Sequence, residues 1–272
     1  MILDEIAAKT KERVAGCKEQ ISFEEMKAKA LAIVEKETEN GTKPYTIFPF
    51  RDNLAKPGIS FICEVKKASP SKGLIAPDFP YIEIAKEYEA AGASAISVLT
   101  EPFYFQGSNE YLTAIHEAVS TPILRKDFTV DPYMIYEAKV IGASAILLIC
   151  AILDDVQLKD YRQLAESLGL DALVEAHDER EVERALKVGA RIVGVNNRDL
   201  RTFQIDMNNS IRLRNLAPEE VVFVSESGIR TSADINLLYD NRVDAVLIGE
   251  TLMRSPDKKA MLETLNGKPL SR

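Results

Sequence analysis

The feature that most constrains the fold is an alternation of short apolar runs with helical patterns, which continues from residue 59 towards the C-terminus. The eight runs are 59–65, 95–99, 122–124, 145–150, 172–174, 192–195, 221–224 and 245–248. Parallel strands need a crossover between them, usually a helix, so this alternation favours a parallel sheet. Eight βα units at a spacing of about 20–35 residues, without antiparallel hairpin signals, predict an α/β fold, a single (β/α)8 TIM barrel over residues 59–272.

The segments between these runs carry helix start and stop signals. Asp131-Pro132 combines an N-cap with a first-turn proline, and Asp178 followed by Glu181 resembles a capping box. The alternative fold is an open doubly wound sheet, which should show a Gly-x-Gly-x-x-Gly turn after its first strand, and the sequence has none there. Four helices are predicted to stop at glycines just before the next run: Gly92, Gly142, Gly169 and Gly189.

Residues 1–45 differ from the rest, because they hold helical patterns without an apolar strand run. Ser22 and Glu25 form a capping-box pattern that opens a helix, and Asn40-Gly41 is typical of its end. We expect a helical N-terminal extension that packs on the barrel, with the whole chain, 1–272, as one domain. Residues 44–57 have the pattern of a linker and a short loop.

The charge of the chain argues against several classes of partner. A formal net charge of −8 and a pI near 5.1 disfavour nucleic acid and anionic membranes. The longest uncharged run, 140–153, has 14 residues and is too short to span a bilayer. Asp4 and Glu5 oppose a signal peptide and the three cysteines are scattered, so we expect a cytoplasmic protein with free thiols. The two histidines lie in no cluster, and we expect no metal site.

Polar side chains lie at the carboxyl ends of the predicted strands, where barrel enzymes place their sites. Glu64 and Lys66 end the first run, Lys126 follows the third, Glu175 the fifth and Asn196 the sixth. Side chains alternate between the two faces of a strand, and this alternation turns all five inward. Each alone would be a solvated rim residue. Together, two carboxylates and two ammonium groups at one mouth predict shifted pKa values suited to proton transfer.

Small-residue turns follow the seventh and eighth runs and lead into helices. Gly228 and Gly249 lie in these turns, at the place where many barrels bind phosphate, although both could serve the turns alone. Ser69 begins a donor-rich loop, Ser69-Pro-Ser-Lys-Gly73, after the first run. Near other strand ends, three apolar residues are candidates either for the core or for a flat slot that takes an aromatic ring: Phe105, Phe128 and Leu147.

Seven motifs, in order and at matching spacing, resemble the indole-3-glycerol-phosphate synthase family. They are Glu64-x-Lys66-x-x-Ser69-Pro-Ser-x-Gly73, Leu99-Thr-Glu-x-x-Tyr-Phe105-x-Gly-Ser108, Leu124-x-Lys-Asp-Phe128, Leu173-Val-Glu175, Val195-Asn-Asn-Arg-Asp-Leu200, Ser225-Glu-Ser-Gly-Ile229 and Ile248-Gly-Glu-Thr-Leu-Met253. The resemblance covers nearly the whole chain and implies a (β/α)8 barrel with a helical N-terminal extension. It implies a carboxy-lyase of tryptophan biosynthesis that uses no cofactor. Such an enzyme closes the ring of 1-(2-carboxyphenylamino)-1-deoxyribulose 5-phosphate, losing carbon dioxide and water, to give indole-3-glycerol phosphate.

The resemblance also implies roles for individual residues. Lys126 becomes the general acid on the substrate carbonyl and Glu175 a general base, while Lys66 and Glu64 handle the substrate carboxylate and the later dehydration. Where this chain has Glu250 some members have serine, and we expect its side chain to point away from the phosphate. The implied catalytic set is Lys126, Glu175, Lys66, Glu64, Asn196 and Ser227. The implied substrate-binding set is Ser69, Phe105, Phe128, Leu147, Arg198, Glu226, Gly228, Gly249 and Glu250.

Two other functions remain open on the residues alone. A Schiff-base aldolase also needs an inward lysine with acid–base neighbours, and borohydride would then label Lys66 or Lys126 covalently. A non-catalytic sensor would use the phosphate turns but has no need of the four charged mouth residues together. The expected partner is a small phosphorylated substrate, without nucleic acid or membrane, and the expected state is a monomer.

Overall fold

Eight parallel strands close into a barrel in the computed structural model, which describes residues 2–39, 48–199 and 202–267. Each strand pairs with the next along the chain, and the last pairs with the first. The predicted (β/α)8 barrel is therefore confirmed. The barrel strands are β1 (Ser60–Val65), β2 (Ala95–Leu99), β3 (Ile123–Lys126), β4 (Ala145–Ile149), β5 (Asp171–Ala176), β6 (Ile192–Asn196), β7 (Val222–Glu226) and β8 (Ala245–Ile248). The loop after β1 adds a short antiparallel pair, Ala68–Ser69 with Gly73–Leu74, although the sequence showed no antiparallel hairpin signal.

Helices surround the barrel and connect successive strands. Asp131 caps its helix by accepting from the Tyr133 N–H, as its pattern predicts. The four predicted stop glycines all have a left-handed φ between 74° and 89°, which ends each helix without steric cost. The helices are α1 (Ile2–Gln20), α2 (Phe23–Glu39), α3 (Pro49–Leu54), α4 (Tyr81–Ala90), α5 (Asn109–Ala118), α6 (Pro132–Val140), α7 (Asp155–Ser167), α8 (Glu179–Lys187), α9 (Asn208–Arg214), α10 (Ser232–Asp240), α11 (Glu250–Arg254) and α12 (Lys258–Leu265).

Strand alternation divides the apolar side chains into two layers. Ile62, Leu124 and Leu173 face the barrel interior, whereas Phe61 and Cys63 face the surrounding helices. No helix within the described ranges is long and apolar enough to cross a bilayer. All three cysteines lie in those ranges and are free thiols.

The amino-terminal end of the barrel is closed by α3. Phe50 and Leu54 of this helix are fully buried in the interior cluster, and the Arg51 N–H donates to Asp171 Oδ2 at 2.9 Å, at the start of β5. The prediction of linker and loop for residues 44–57 is therefore wrong over α3. The predicted helix end at Asn40-Gly41 lies outside the described residues.

The N-terminal helices α1 and α2 pack on the third βα unit. Buried side chains of both helices join the core that lies under the barrel helices. Ser22 accepts from the Glu25 N–H at 3.2 Å, so the predicted cap of α2 is present on its serine side. Three ion pairs then tie the extension to β3 and α6: Arg13 to Asp127 at 2.8 Å, Lys18 to Asp131 at 2.7 Å and Glu37 to Lys139 at 2.8 Å.

Candidate active site

A cavity of about 530 Å³ opens at the carboxyl ends of the strands. It lies where a parallel barrel brings its strand ends together, and its volume is that of a site for a small ligand. Every residue that the sequence analysis nominated lines it: Glu64, Lys66, Ser69, Phe105, Lys126, Phe128, Leu147, Glu175, Asn196, Arg198, Glu226, Ser227, Gly228, Gly249 and Glu250. The structure therefore brings all of these residues to one place.

Lys126, the last residue of β3, lies between two buried carboxylates. Its Nζ atom is 2.9 Å from Glu175 Oε2 on β5 and 3.1 Å from Glu226 Oε2 on β7. Burial opposes the charged form of the lysine, but the two carboxylates outweigh burial and raise the pKa of Lys126 above its ordinary value. The ammonium group is thus held protonated at the mouth of the barrel.

The two carboxylates beside Lys126 differ in their surroundings. Burial alone would raise the pKa of Glu175, but Lys126 and His177 hold it well below its ordinary value. Burial, together with the charge of Glu175, raises the pKa of Glu226 to about 7 despite Lys126. The Glu226 Oε1 atom is buried and has no hydrogen-bond partner among the described residues. Glu226 therefore lies among the acid–base groups, although the family resemblance placed it with substrate binding.

Glu64 and Lys66 form a second, largely buried ion pair at the end of β1. Their side chains keep 4% and 17% of their accessible surface, so the pair is screened from bulk water. Gly249 lies against them, and a Cβ there would overlap Glu64 Oε1. The absence of a side chain at position 249 thus gives the pair its space.

His177 lies next to Glu175 and is a charged group that sequence reasoning missed. Its Nε2 atom is 3.4 Å from Glu175 Oε1, and its Nδ1 atom is 2.9 Å from Glu181 Oε2. Burial disfavours the charged ring, but the nearby carboxylates of Glu175 and Glu181 raise the pKa of His177 to about 10. The signal was present, since His177 follows Glu175 by two residues, and side chains two apart in an extended chain point to the same side.

An apolar slot lies beside the charged cluster. The rings of Phe105 and Phe128 lie 6.3 Å apart at 38°, and Leu147 forms part of the same wall. The Glu101 carboxylate fixes the loop that carries Phe105 by accepting from three successive backbone N–H groups, 103 to 105. Leu3 and Ile6 of α1 also line the slot, which the sequence did not indicate.

The turn after β7 has an unusual backbone at the predicted phosphate position. Ser227 and Gly228 have left-handed φ values of 70° and 90°, and the Asn197 Nδ2 group donates to the Ser227 carbonyl at 3.1 Å. The next helix, α10, begins only at Ser232. After β8, by contrast, Gly249 itself is the N-cap of α11. The cavity is therefore bordered by a left-handed turn after β7 and by a helix start after β8, two kinds of backbone that commonly bind anions.

The remaining polar residues at the rim are held by neighbouring loops. Asn196 Oδ1 accepts from the Arg198 N–H at 3.1 Å, and Arg198 donates to the Phe203 carbonyl at 3.2 Å. The Glu250 carboxylate is 3.0 Å from Arg254 Nε and 3.7 Å from Lys72 Nζ, so its charge is compensated. The described residues contain no group of three or more His, Cys, Asp or Glu side chains placed to hold a metal ion.

Comparison with known proteins assigns the chain to a family. A family model described as indole-3-glycerol phosphate synthase matches residues 3–265. The chain is 57% identical to the indole-3-glycerol phosphate synthase of Ruminiclostridium cellulolyticum, over 98% of this chain and 99% of the relative. It is 54% identical to that of Lacticaseibacillus paracasei, over 96% and 97%.

Solved structures support the fold at much lower identity. 3-Hexulose-6-phosphate synthase from Salmonella typhimurium superposes with a TM-score of 0.64 at 13% identity, over 76% of this chain and 97% of that one. Thiamine phosphate pyrophosphorylase from Pyrococcus furiosus gives a TM-score of 0.59 at 14% identity, over 79% and 95%. These likenesses concern the barrel, whereas the family follows from the sequence matches: the chain belongs to the indole-3-glycerol phosphate synthase family.

Proposed function

We propose that the charged cluster at the mouth carries out the family's reaction, with Lys126 as general acid and Glu175 as its partner carboxylate. The chain catalyses the decarboxylating and dehydrating ring closure that yields indole-3-glycerol phosphate in tryptophan biosynthesis. One observation carries the assignment of roles: the Lys126 ammonium is held between two buried carboxylates, in the cavity that the aromatic slot also lines.

Ring closure requires an acid beside the substrate ketone. An aromatic carbon attacks this ketone, and negative charge develops on its oxygen. An ammonium group that already lies in the cavity can protonate the oxygen as the bond forms. Lys126 is protonated before the step, so its proton is available to neutralise the alkoxide as it forms.

Glu175 is proposed to stabilise the positive charge that the reaction produces. Attack leaves positive charge on the anilino nitrogen, which an ionised carboxylate stabilises. When Lys126 gives up its proton, Glu175 loses one of the cations that depress its pKa, so its basicity is raised for the proton transfer that follows ring closure. Glu64 and Lys66, an adjacent pair at the end of β1, are placed to handle the substrate carboxylate and the later dehydration.

The substrate is held by groups around this cluster. Phe105, Phe128 and Leu147 flank the anthranilate ring, and Asn196 with Arg198 binds the sugar hydroxyls and the carboxylate. A phosphate group fits between the turns after β7 and β8 and the start of the first loop. The residues proposed for it are Ser69, Ser227, Gly228, Gly249 and Glu250, the last three mainly through their backbone N–H groups.

Lys126→Met tests the proposed acid. Loss of a general acid lowers rates by about 10²–10⁴, so kcat should fall by this factor. KM should change much less, because the ring and phosphate contacts remain. Steady-state kinetics that follow the indole fluorescence of the product measure both, and Lys159→Met, at an exposed position of α7, is the control.

Near-normal kcat in Lys126→Met would remove this lysine from the chemistry and move the acid role to Lys66. The Schiff-base alternative is tested on the unmodified chain. A Schiff base needs a neutral amine, which the raised pKa of Lys126 disfavours. Borohydride with substrate should therefore leave the protein mass unchanged.

The chain works as a monomer in the cytoplasm under this proposal. Only seven large apolar side chains are exposed among the described residues, whereas an obligate interface needs a large apolar surface. Sedimentation equilibrium should give a mass near the 30.2 kDa of one chain. Cell fractionation should recover the protein with the cytoplasmic enzymes, and its free cysteines suit a reducing compartment.

A further inference from the structure

The Glu175 carboxylate is held by a different cation on each oxygen. Lys126 Nζ is 2.9 Å from Oε2, and His177 Nε2 is 3.4 Å from Oε1. The His177 Nε2 atom is buried and, within the described residues, makes no hydrogen bond of ordinary geometry. It faces the Glu175 oxygen that Lys126 does not contact.

The His177 ring is also held at its other nitrogen, Nδ1. Glu181 Oε2, on α8, accepts from the His177 backbone N–H at 2.9 Å and lies 2.9 Å from the ring Nδ1. The Asn209 amide on α9 donates to the His177 carbonyl at 3.0 Å. The predicted capping box at Asp178 is thus incomplete, because Glu181 turns back to the histidine and not to the N-cap.

The charges around the ring favour its protonated form. Glu175 on β5 faces one ring nitrogen and Glu181 on α8 faces the other, while the contact from α9 is a neutral amide. A neutral imidazole has one donor only, whereas the imidazolium has two and can satisfy both carboxylates. Side-chain exposure of 21% keeps this arrangement largely out of water.

His177, the second cation beside Glu175, matters because Lys126, the first, takes part in the reaction. In the proposed step Lys126 loses its proton and its charge. A buried carboxylate without a cation would then take up a proton or leave its position. Glu226 also pairs with Lys126, but it has no second partner among the described residues, and the two carboxylates are therefore not equivalent.

We propose that His177 is a positioning residue, which keeps Glu175 ionised and in place through the step in which Lys126 becomes neutral. This inference rests on the proposed roles of Lys126 and Glu175. Glu181 contributes to this role, because it stabilises the charged form of the His177 ring and orients the ring towards Glu175.

His177→Gln and His177→Leu test the proposal by kinetics. Glutamine keeps a donor but loses the charge, and leucine loses both. We expect kcat to fall by about 10- to 100-fold, the range known for loss of an outer hydrogen-bond partner of a metal ligand. The fall should be larger for His177→Leu, and KM should be nearly unchanged. His116→Gln is the matched control, since His116 is the only other histidine and is exposed on α5.

A double-mutant cycle with Glu175→Gln separates this proposal from the proposed function. If His177 acts through Glu175, then His177→Gln should have little further effect in the Glu175→Gln enzyme. The same fold loss in both backgrounds would overturn the positioning role. A Glu175→Gln enzyme with normal kcat would instead overturn the role of Glu175 itself.

The ring can also be observed in the unmodified enzyme. Two histidines give two sets of ring signals in a ¹⁵N spectrum, which His116→Gln assigns. The His177 signals should remain those of imidazolium from pH 6 to 8.5, and Glu181→Gln should make them titrate at lower pH. A neutral His177 ring at pH 7 in the unmodified enzyme would overturn the proposal without reliance on any variant.

Discussion

At the scale of single residues, two glycines leave the space that buried charged groups of the site occupy. A Cβ on Gly194 would overlap the Glu226 Oε1 atom, and a Cβ on Gly249 would overlap Glu64 and approach Lys66 Nζ to 2.8 Å. Both glycines lie beside buried charged groups in a close-packed wall, which has little room to relax. An added methyl group would therefore displace a charge.

Gly194→Ala should lower kcat, because Glu226 must move away from Lys126. A misplacement of about 1 Å at a catalytic centre lowers rates by up to about 10²-fold. Gly16→Ala is the control: a Cβ at this position of α1 meets nothing within 4 Å. The control should keep kcat and gain about 0.5–1 kcal/mol in the free energy of unfolding. Normal kcat in Gly194→Ala would show that the position of Glu226 does not matter.

Strand alternation located Glu64, Lys126 and Glu175 because it depends only on neighbours in the chain. The same rule did not reach His177. The apolar run 172–174 is shorter than β5, which continues to position 176, directly before His177. The contact between Glu226 and Lys126 joins β7 to β3 across the barrel. No local pattern encodes that distance, because it arises from closure of the sheet.

At the scale of elements, the end of β3 is anchored on both sides of Lys126. Arg125 donates to the Met134 carbonyl of α6 at 2.8 Å. Asp127 accepts from Arg13 of α1 at 2.8 and 2.9 Å, and from Thr100 at 2.6 Å. The helical extension therefore fixes the strand that presents the proposed acid.

Arg13→Met should destabilise the fold by about 3 kcal/mol, because it removes one partner of a buried ion pair and leaves Asp127 short of compensation. Lys9→Met is the control on the same helix. Its pair with Glu12 is exposed, and pairs of this kind contribute about 0–1 kcal/mol. Urea denaturation of both variants gives the two free energies. Equal values would mean that the contact with Asp127 does not hold α1 on the barrel.

Helices were predicted correctly where the sequence contains its own start and stop signals. The prediction failed where a helix forms because of its packing against the barrel. Asp131 marks the start of α6 locally, by a cap and a proline. The six residues of α3 are too few for a periodic pattern, and the helix forms because Phe50 and Leu54 fill the end of the barrel. Leu3 lines the aromatic slot for the same reason, through the packing of α1.

At the scale of the whole molecule, we propose that the extension and the barrel unfold as one domain. They share a core, and three ion pairs join them. Far-ultraviolet circular dichroism and tyrosine fluorescence should then report the same transition in urea. Separate midpoints would divide the chain into two folding units.

The free energy of unfolding should depend on pH through the ionisation of His177. Burial opposes its charge, but Glu175 and Glu181 raise its pKa from 6.5 to about 10 in the fold. A group with a raised pKa contributes stability that is complete below 6.5 and is lost as pH rises through about 10. The difference in unfolding free energy between the unmodified chain and His177→Gln should therefore shrink between pH 6 and pH 10. A difference that does not change with pH would contradict a charged ring.

The left-handed backbone at Ser227 bears on any attempt to engineer this chain. A residue other than glycine at a φ of 70° carries strain of about 1–3 kcal/mol, which a glycine would relieve. A library sorted only by survival on heating would therefore enrich Ser227→Gly and discard the hydroxyl from the proposed phosphate turn. Heat resistance and turnover favour different residues at this position, so directed evolution of the barrel needs a screen for activity in every round.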